Sequence, residues 1–315
     1  METMSQYVFG VDIGGTTVKL GYFDTEGNVL DKWEIPTRKE DNGSRILPDV
    51  AASIEKKIKD AGIDRKDVAG VGVGAPGPVD SKGVIYKTAN LGWGVFSIKE
   101  TLENILKLPV MAGNDANVAA LGEMWKGGGQ GYKDLVVVTL GTGVGGGIIV
   151  DGKVVAGFNG AGGEIGHITV NHDEIEACNC GQYGCLEQYT SATGIVRVAK
   201  RKLAKTNDET SLRNFPELTA KDVFDEAKSG DAVALGLVDE VCGILGATLS
   251  NIACVVDPEV VVIGGGVSKA GSILIESIQK HFVETSFHAC RNTKFVSAGL
   301  GNDAGMYGCV QMLLD

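Results

Sequence analysis

The residues most suited to chemistry fall in one stretch, residues 135–187 of the 315-residue chain. An apolar segment at 135–140 runs into a cluster of glycines at 141–147. Glycine lacks a Cβ atom, so backbone N–H groups in such a cluster can approach an anion closely. The sequence therefore predicts a phosphate-binding loop at the end of a β-strand.

One histidine and three cysteines follow with the spacing of a zinc site. His167 precedes Cys178, Cys180 and Cys185, and the cysteines form the pattern Cys-x-Cys-Gly-x-x-Gly-Cys. One imidazole and three thiolates are the ligand set of a closed tetrahedral zinc site. Buried free cysteines are the alternative, but four ligand residues within 19 positions favour the metal. His172 is a weaker candidate because no carboxylate lies three residues before it.

Two glutamates stand next to these ligands in the sequence. Glu164 lies three residues before His167, and Glu187 lies two residues after Cys185. A bound metal would hold both side chains in place, and carboxylates accept hydrogen bonds from hydroxyl groups. We therefore expect Glu164 and Glu187 to bind a polyhydroxyl substrate.

An aspartate also ends the first apolar segment of the chain. Asp12 lies in the apolar strand predicted at 7–13, two residues before the pair Gly14-Gly15. A carboxylate beside a phosphate loop repels the phosphate unless a divalent cation lies between them, so we expect Asp12 to meet Mg²⁺ directly or through water. Capping of a hairpin turn is the alternative role.

A second aspartate follows a predicted strand at 108–112. Asp115 comes after Gly113-Asn114 and directly before a predicted helix at 116–125. The carboxyl ends of strands in α/β sheets border ligand crevices, so Asp115 can project into one. Asn114 or Asp115 could instead cap the helix. A glutamate or glutamine three residues later would complete a capping box, and neither candidate has one.

The C-terminal part of the chain adds a third glycine motif. A predicted strand at 260–263 leads into Gly264, Gly265 and Gly266, and a helix is predicted from there to about residue 282. A helix N-terminus offers free N–H donors, so this motif predicts a nucleotide contact. The last helix, from about residue 303 to 314, has an apolar face that must dock elsewhere.

The composition limits the possible functions. The formal net charge is −11 with a pI of about 4.9, which disfavours nucleic-acid binding. The sequence contains no run of 18 apolar residues and no signal segment at its start, so we expect a cytoplasmic protein without membrane contact. A long apolar helix predicted at 231–256 suggests core packing or subunit contact, and we expect a homodimer or a higher homo-oligomer.

In their order along the chain, these motifs resemble the ROK family of sugar kinases, and within it the bacterial glucokinases. The resemblance covers nearly the whole chain and rests on six motifs: residues 12–16, 113–115, 140–143, 162–167, 178–187 and 264–266. It implies an α/β, actin-like (ribonuclease H-like) fold of two lobes, with the active site in the cleft between them and an inserted zinc-binding loop. Residues 1–115 would form the small lobe, to which the helix at 302–315 returns, and residues 116–301 the large lobe.

The resemblance also implies the roles of individual residues. Asp115 would be the catalytic base, and zinc would be structural. The expected sugar contacts are Asn90, Asn114, Asp115, Glu164, His167 and Glu187. The expected nucleotide contacts are Asp12, which would meet the Mg²⁺ of ATP, and the glycine turns, which comprise Gly14, Gly15, Thr16, Thr17, Gly141, Thr142, Gly143, Gly264, Gly265 and Gly266.

The implied activity is ATP-dependent phosphorylation of a hexose. The segment Asn90-Leu91-Gly92-Trp93, which composition alone would make an exposed loop, is similar to that of glucokinases and favours glucose. Mannose, fructose and N-acetylated hexosamines such as N-acetylmannosamine remain alternatives.

Two functions of other classes compete with the kinase. Residues 141–146 match the Gly-x-Gly-x-x-Gly fingerprint of dinucleotide-binding dehydrogenases, but a second hairpin, not a helix, is predicted after them. A non-enzymatic sugar sensor is the other alternative. The family also contains repressors with a DNA-binding module ahead of the first glycine turn, and only eleven residues precede Asp12 here, so we expect no such module.

Overall fold

The computed structural model describes residues 6–86, 88 and 90–315. Part of the predicted small lobe, residues 1–5, 87 and 89, therefore lies outside the described residues. The remainder folds around two five-stranded sheets, each covered by helices.

The first sheet is built from the N-terminal part of the chain in the order β3-β2-β1-β4-β7. Its strands are β1 (Tyr7–Ile13), β2 (Thr17–Asp24), β3 (Val29–Pro36), β4 (Val68–Ala75) and β7 (Val110–Asn114). A small hairpin, β5 (Val84–Ile85) and β6 (Phe96–Ser97), stands apart. The connecting helices are the single turn α1 (Glu40–Gly43), α2 (Ile46–Asp60) and α3 (Ile98–Leu106).

Helix α2 forms where the apolar spacing predicts a covering helix. Its side chains Ile46, Val50, Ile54 and Ile58 recur every four residues and are buried in one cluster with strands β1 and β4. Helix α3 is capped by Ser97, whose hydroxyl accepts the Glu100 backbone N–H at 3.0 Å. These helices cover one face of the first sheet.

The second sheet repeats the strand order of the first. It runs β10-β9-β8-β11-β12, with strands β8 (Leu135–Leu140), β9 (Val144–Val150), β10 (Lys153–Val154), β11 (Val260–Gly264) and β12 (Lys294–Ser297). In both sheets three antiparallel strands are followed by two parallel ones. The sequence analysis did not identify this repeat. Its signal is the pair of similar strand ends at 12–16 and 139–143.

The helices of the second half lie between strands β10 and β12 in the sequence. They are the short α5 (Glu187–Thr190), α6 (Ala192–Lys205), α7 (Ala220–Lys228), α8 (Ala232–Val256) and α9 (Ser272–Thr285). In the part of the chain that the structure describes, one helix, α8, is long and apolar enough to cross a membrane, with a mean hydropathy of 1.7. Val238, Leu245 and Leu249 of α8 are buried in the core of the second half, which is the environment of a core helix.

The helix predicted to follow Gly264-Gly265-Gly266 begins later than expected. A 3₁₀ turn, Gly266–Ala270, follows the glycines, and α9 begins only at Ser272. Gly271, between the two, has a φ of 79°, which is outside the helical region and separates the elements. The expectation of a helix N-terminus directly at the glycine motif was therefore wrong.

Two helices join the sheets. Helix α4 (Asp115–Lys126) packs on β8 and β9, α10 (Ala304–Leu314) packs on β1 and β4, and the two helices pack on each other. Gly122 and Gly308 form this contact. A Cβ atom on Gly122 would lie 2.1 Å from the Ala304 carbonyl oxygen, and one on Gly308 would lie 1.5 Å from the Val118 carbonyl oxygen. The backbones of α4 and α10 therefore touch.

We expect Gly308→Ala to lower the free energy of unfolding by about 3 kcal/mol or more, because the new methyl group overlaps the Val118 carbonyl and forces the helices apart. Urea denaturation followed by tryptophan fluorescence measures the change. The matched control is Gly236→Ala in α8, where a Cβ atom meets nothing within 4 Å. It should raise stability by about 0.5–1 kcal/mol. Equal effects of the two variants would contradict the close contact.

Candidate active site

The first sheet brings Asp12 and Asp115 to the same edge. In the parallel register, Asp12 pairs with Gly74 and Gly74 pairs with Gly113. Asp12 thus lies near the carboxyl end of β1, and Asp115 comes directly after the end of β7, two strands away. Both side chains are partly buried.

Asp115 lies in an environment that disfavours its charge. Burial, followed by the negative charges of Asp12 and Glu164, raises the pKa of Asp115 to about 6. The Ala116 backbone N–H, which donates to Oδ1 of Asp115 at 2.8 Å, acts in the opposite direction. Because Glu164 comes after strands β8–β10 of the second sheet, carboxylates from both halves of the molecule act on Asp115.

Asp12 has a helix end beside it. A Cβ atom on Gly305, in the first turn of α10, would lie 2.7 Å from the Asp12 carboxylate carbon. Burial raises the pKa of Asp12, and its cross-strand partner Lys19 lowers it. The N-terminal end of α10 and the Lys19 ammonium group thus offset part of the negative charge of this edge.

Asn114, and not Asp115, caps helix α4. Its Oδ1 accepts the Asn117 backbone N–H at 3.1 Å, and its Nδ2 donates to the Gly77 carbonyl oxygen at 3.1 Å. The capping alternative therefore holds for Asn114. The side chain is 6% exposed and has one amide hydrogen left for a ligand.

The predicted sugar contact Asn90 is exposed on a turn. Its neighbours Leu91 and Trp93 are buried, and Nε1 of Trp93 donates to the Gly43 carbonyl oxygen at 3.1 Å. The expectation of an exposed loop was thus wrong for these two residues, because two large apolar side chains within four positions fix the segment to the core.

The two predicted phosphate loops are equivalent turns of the repeated fold. Gly14–Thr16 joins β1 to β2, which begins at Thr17, and Gly141–Gly143 joins β8 to β9. Gly14 N–H donates to the Thr17 carbonyl and Gly141 N–H to the Gly143 carbonyl, both at 3.0 Å. The Gly-x-Gly-x-x-Gly match therefore lies in a hairpin, which excludes the dinucleotide fingerprint.

The four predicted zinc ligands form one cluster. One ligand atom each from His167, Cys178, Cys180 and Cys185 lies within 4.8 Å of the others, and the sulfurs of Cys180 and Cys185 are 3.6 Å apart. Zn–S bonds of about 2.3 Å in a tetrahedron place two sulfurs about 3.8 Å apart. The donor set and its spacing therefore fit zinc, which would cross-link the loop.

Glu187 connects this cluster to the second phosphate loop. Its Oε2 accepts the Val144 backbone N–H at 3.0 Å, and Sγ of Cys178 lies 3.8 Å from Oε1. A Cβ atom on Gly143 would lie 2.3 Å from Oε2, so a larger residue there would displace the Glu187 carboxylate. Glu164 immediately precedes a 3₁₀ turn, Ile165–His167, which sets it next to the predicted zinc ligand His167.

A buried ion-pair network holds the outer part of the zinc loop. Glu174 is bound by both guanidinium nitrogens of Arg201 at 2.8 and 2.9 Å, by Arg197 at 2.7 Å and by the Tyr189 hydroxyl at 2.6 Å. These partners, Arg201 first, hold the pKa of Glu174 well below its usual range. The sequence analysis missed this network, although Glu174 and Glu176 face an Arg197-Arg201 pair spaced by one helical turn.

The third glycine motif borders an apolar pocket of about 310 Å³. Gly266 lines it, together with Ala192, Ala220, Phe224, Val267 and Ala270. Gly265 and Gly266 are exposed, but Gly264 is buried, and a Cβ atom there would lie 2.9 Å from Ala298. The two exposed glycines are therefore the accessible part of this motif.

A family model described as the ROK family matches residues 8–315. The chain belongs to the ROK family. The glucokinase of Halalkalibacterium halodurans is 46% identical over 308 residues, which cover 96% of this chain and 93% of that protein. A ROK family glucokinase from Streptomyces griseus, solved in complex with glucose and AMPPNP, is 34% identical with a TM-score of 0.76 and covers 97% of this chain and 98% of its own.

The ROK hexokinase from Thermus thermophilus is 32% identical with a TM-score of 0.79, and the match covers 97% of each chain. The predicted family and the actin-like α/β fold of two lobes are thus confirmed. The two sheets of this chain are the centres of these lobes.

We expect the purified protein to contain about one zinc ion per chain, because four ligands of a closed site converge. Cys180→Ser should lose the metal and lower the melting temperature. Elemental analysis and a thermal shift assay measure both. The control is Cys254→Ser, which changes an exposed cysteine outside the cluster and should leave the zinc content unchanged. Wild-type protein purified without zinc would contradict the site.

Proposed function

We propose that this chain transfers the γ-phosphoryl group of ATP to glucose, giving glucose 6-phosphate, with Asp115 as the general base. The observation that carries the proposal is the placement of Asp115 and Asp12 at the same edge of the first sheet, where the negative charge of Glu164 from the second lobe also acts on Asp115. Relatives named glucokinase, 46% and 34% identical to this chain, support glucose as the acceptor.

Phosphoryl transfer requires mainly positioning and neutralisation of charge. Asp115 has a pKa of about 6, so it is mostly ionised at pH 7 and yet basic enough to accept a proton from a sugar hydroxyl. We assign the proton transfer to this carboxylate as the hydroxyl oxygen attacks the γ-phosphorus. A carboxylate with the usual aspartate pKa near 4 would be a weaker base.

The sugar would lie between Asp115 and the zinc loop. We assign its hydroxyl groups to Glu164, Glu187 and His167, with Asn114 donating its remaining amide hydrogen and Asn90 at the margin. Carboxylates accept hydrogen bonds from hydroxyls, and two of them on different elements orient a rigid ring. The zinc, which four protein ligands would enclose, would keep these groups in place without reacting.

The nucleotide would lie across the two glycine turns. Backbone N–H groups of Gly14–Thr17 and Gly141–Gly143 would bind the phosphates. The apolar pocket beside Gly265 and Gly266 would take the adenine ring, because its volume of about 310 Å³ and its lining suit a flat apolar group. Mg²⁺ would supply positive charge between Asp12 and the phosphates.

We also infer a cytoplasmic location and self-association as a homodimer or higher homo-oligomer. The location is supported by the seven free cysteines, which suit a reducing compartment. Mannose, fructose and N-acetylmannosamine are the alternative acceptors. A panel of these hexoses with ATP and Mg²⁺, read by ADP release, tests the choice, and a lack of turnover with every sugar would favour the sensor function.

We expect Asp115→Asn to lower kcat for glucose by about 10²–10⁴-fold, because the amide cannot accept the proton. Steady-state kinetics measure kcat, and circular dichroism checks that the variant folds. The control Asp208→Asn removes an exposed carboxylate elsewhere and should behave as wild type. A folded Asp115→Asn variant with wild-type turnover would remove Asp115 from the role of base.

The pH dependence of kcat/KM should follow the ionisation of the Asp115 carboxylate. Because the base must be ionised and its pKa is raised to about 6, kcat/KM for glucose should fall about tenfold per unit as the pH drops below 6. An unperturbed aspartate would preserve activity down to about pH 4. Measurement of kcat/KM from pH 4.5 to 8 separates these outcomes, provided that a stability control shows the enzyme folded throughout.

A further inference from the structure

Glu123, near the end of helix α4, is a buried carboxylate that the proposed mechanism does not use. It is 2% exposed. Its Oε2 accepts the backbone N–H groups of Gly128 at 2.8 Å and Gly299 at 2.7 Å, and its Oε1 accepts that of Leu300 at 2.9 Å. Three backbone donors on one buried carboxylate form a strong, fully oriented contact.

The donors belong to the two segments by which the chain passes between the lobes. Gly128 follows α4, on the way from strand β7 of the first sheet to β8 of the second. Gly299 and Leu300 lie between β12 of the second sheet and α10, which packs on the first. A single side chain thus ties together connections that are more than 170 residues apart in sequence.

The surrounding glycines let this contact form. A Cβ atom on Gly127 would lie 2.0 Å from Oε2 of Glu123, and one on Gly128 would lie 2.2 Å from the Ser297 carbonyl oxygen. On Gly299 it would lie 3.1 Å from the Gly128 backbone nitrogen. The two connections therefore run backbone against backbone, with the carboxylate between them.

We propose that Glu123 is a positioning residue that clasps both connections between the lobes and sets the separation at which the active site is complete. The inference rests on the proposed function, since Asp115 and Glu164 come from opposite sides of the cleft. A looser hinge lowers the fraction of free enzyme with the lobes correctly placed, and apparent substrate affinity falls by that fraction. Saturating substrate restores the arrangement, so turnover at saturation is preserved.

The test compares Glu123→Gln with the wild type in steady-state kinetics for glucose at saturating ATP. The amide nitrogen of glutamine cannot accept a hydrogen bond, so at least one of the three backbone donors loses its acceptor and the clasp is weakened. We expect KM for glucose to rise about fivefold or more, with kcat within about twofold of wild type. A merely structural role predicts the opposite: less active enzyme, and therefore a lower apparent kcat, at an unchanged KM.

A second variant removes a single donor and leaves Glu123 in place. Leu300 has a φ of −92° and a ψ of −16° at the start of a 3₁₀ turn, so proline, whose φ is fixed near about −65°, requires only a local change of φ. Leu300→Pro therefore deletes one N–H donor, and we expect a smaller rise in KM in the same direction. This variant keeps the test decisive if Glu123→Gln does not fold.

The matched control is Glu259→Gln. Glu259 also binds two backbone N–H groups, those of Lys133 and Asp134, but these residues directly precede β8 and β11, which are neighbouring strands of one sheet. The KM of Glu259→Gln for glucose should equal that of the wild type. A wild-type KM in folded Leu300→Pro or Glu123→Gln, or an equal rise in the control, would overturn the clasp. Failure of the proposed function is distinguishable because the wild type itself would then not phosphorylate glucose.

Discussion

The direct backbone contact between α4 and α10 is the constraint on which the active site depends. Helix α4 begins with Asp115 and packs on the second sheet, whereas α10 packs on the first sheet with its first turn against Asp12. The separation of these helices therefore sets the distance between the proposed base and the proposed magnesium ligand. Glycine at 122 and 308 is required because any side chain there would overlap a carbonyl oxygen of the other helix. A small shift of one helix against the other would thus change the distance between Asp12 and Asp115.

The charge of the site follows from this geometry. Asp12, Asp115 and Glu164 bring three carboxylates together in a protein whose net charge is already −11. Such a site repels ATP at long range, so binding must come from short-range donors: the backbone N–H groups of the two glycine turns, the Lys19 ammonium group and a divalent cation. Burial raises the pKa of Asp115, and the same repulsion adds to the rise. The negative charge around Asp115, which would help to make it a base, would therefore also require a divalent cation beside the phosphates.

Local patterns in the sequence predicted much of the fold and of the site. The strand ends with their glycine turns and the histidine-cysteine spacing are signals within about twenty residues, and they were sufficient for the family, the hairpins and the clustering of His167 with the three cysteines. The roles of Asn114 and Asp115 were harder to separate, because either residue type can cap a helix and only the structure shows which one does. Gly271 is of a residue type that commonly interrupts helices, but the predicted helix from the glycine motif to about residue 282 ran through it. The contacts of Glu123 with Gly299 and Leu300 involve partners brought together by the complete fold, and no local pattern encodes them.

Because the two lobes repeat the same strand order, each has a glycine turn that is held by hydrogen bonds from other elements. In each lobe, hydrogen-bond donors from another element bind the carbonyl oxygens of the turn between the first two strands. The turn therefore keeps a fixed shape. In the first lobe Thr37 does this: its hydroxyl donates to the Gly14 carbonyl at 2.8 Å and its backbone N–H to the Thr16 carbonyl at 2.9 Å. In the second lobe the Ala192 N–H and the Thr193 hydroxyl bind the carbonyls of Gly141 and Thr142, each at 2.8 Å. The donors come from different elements, but the physical requirement is the same, because a preorganised loop binds phosphate without first losing conformational entropy.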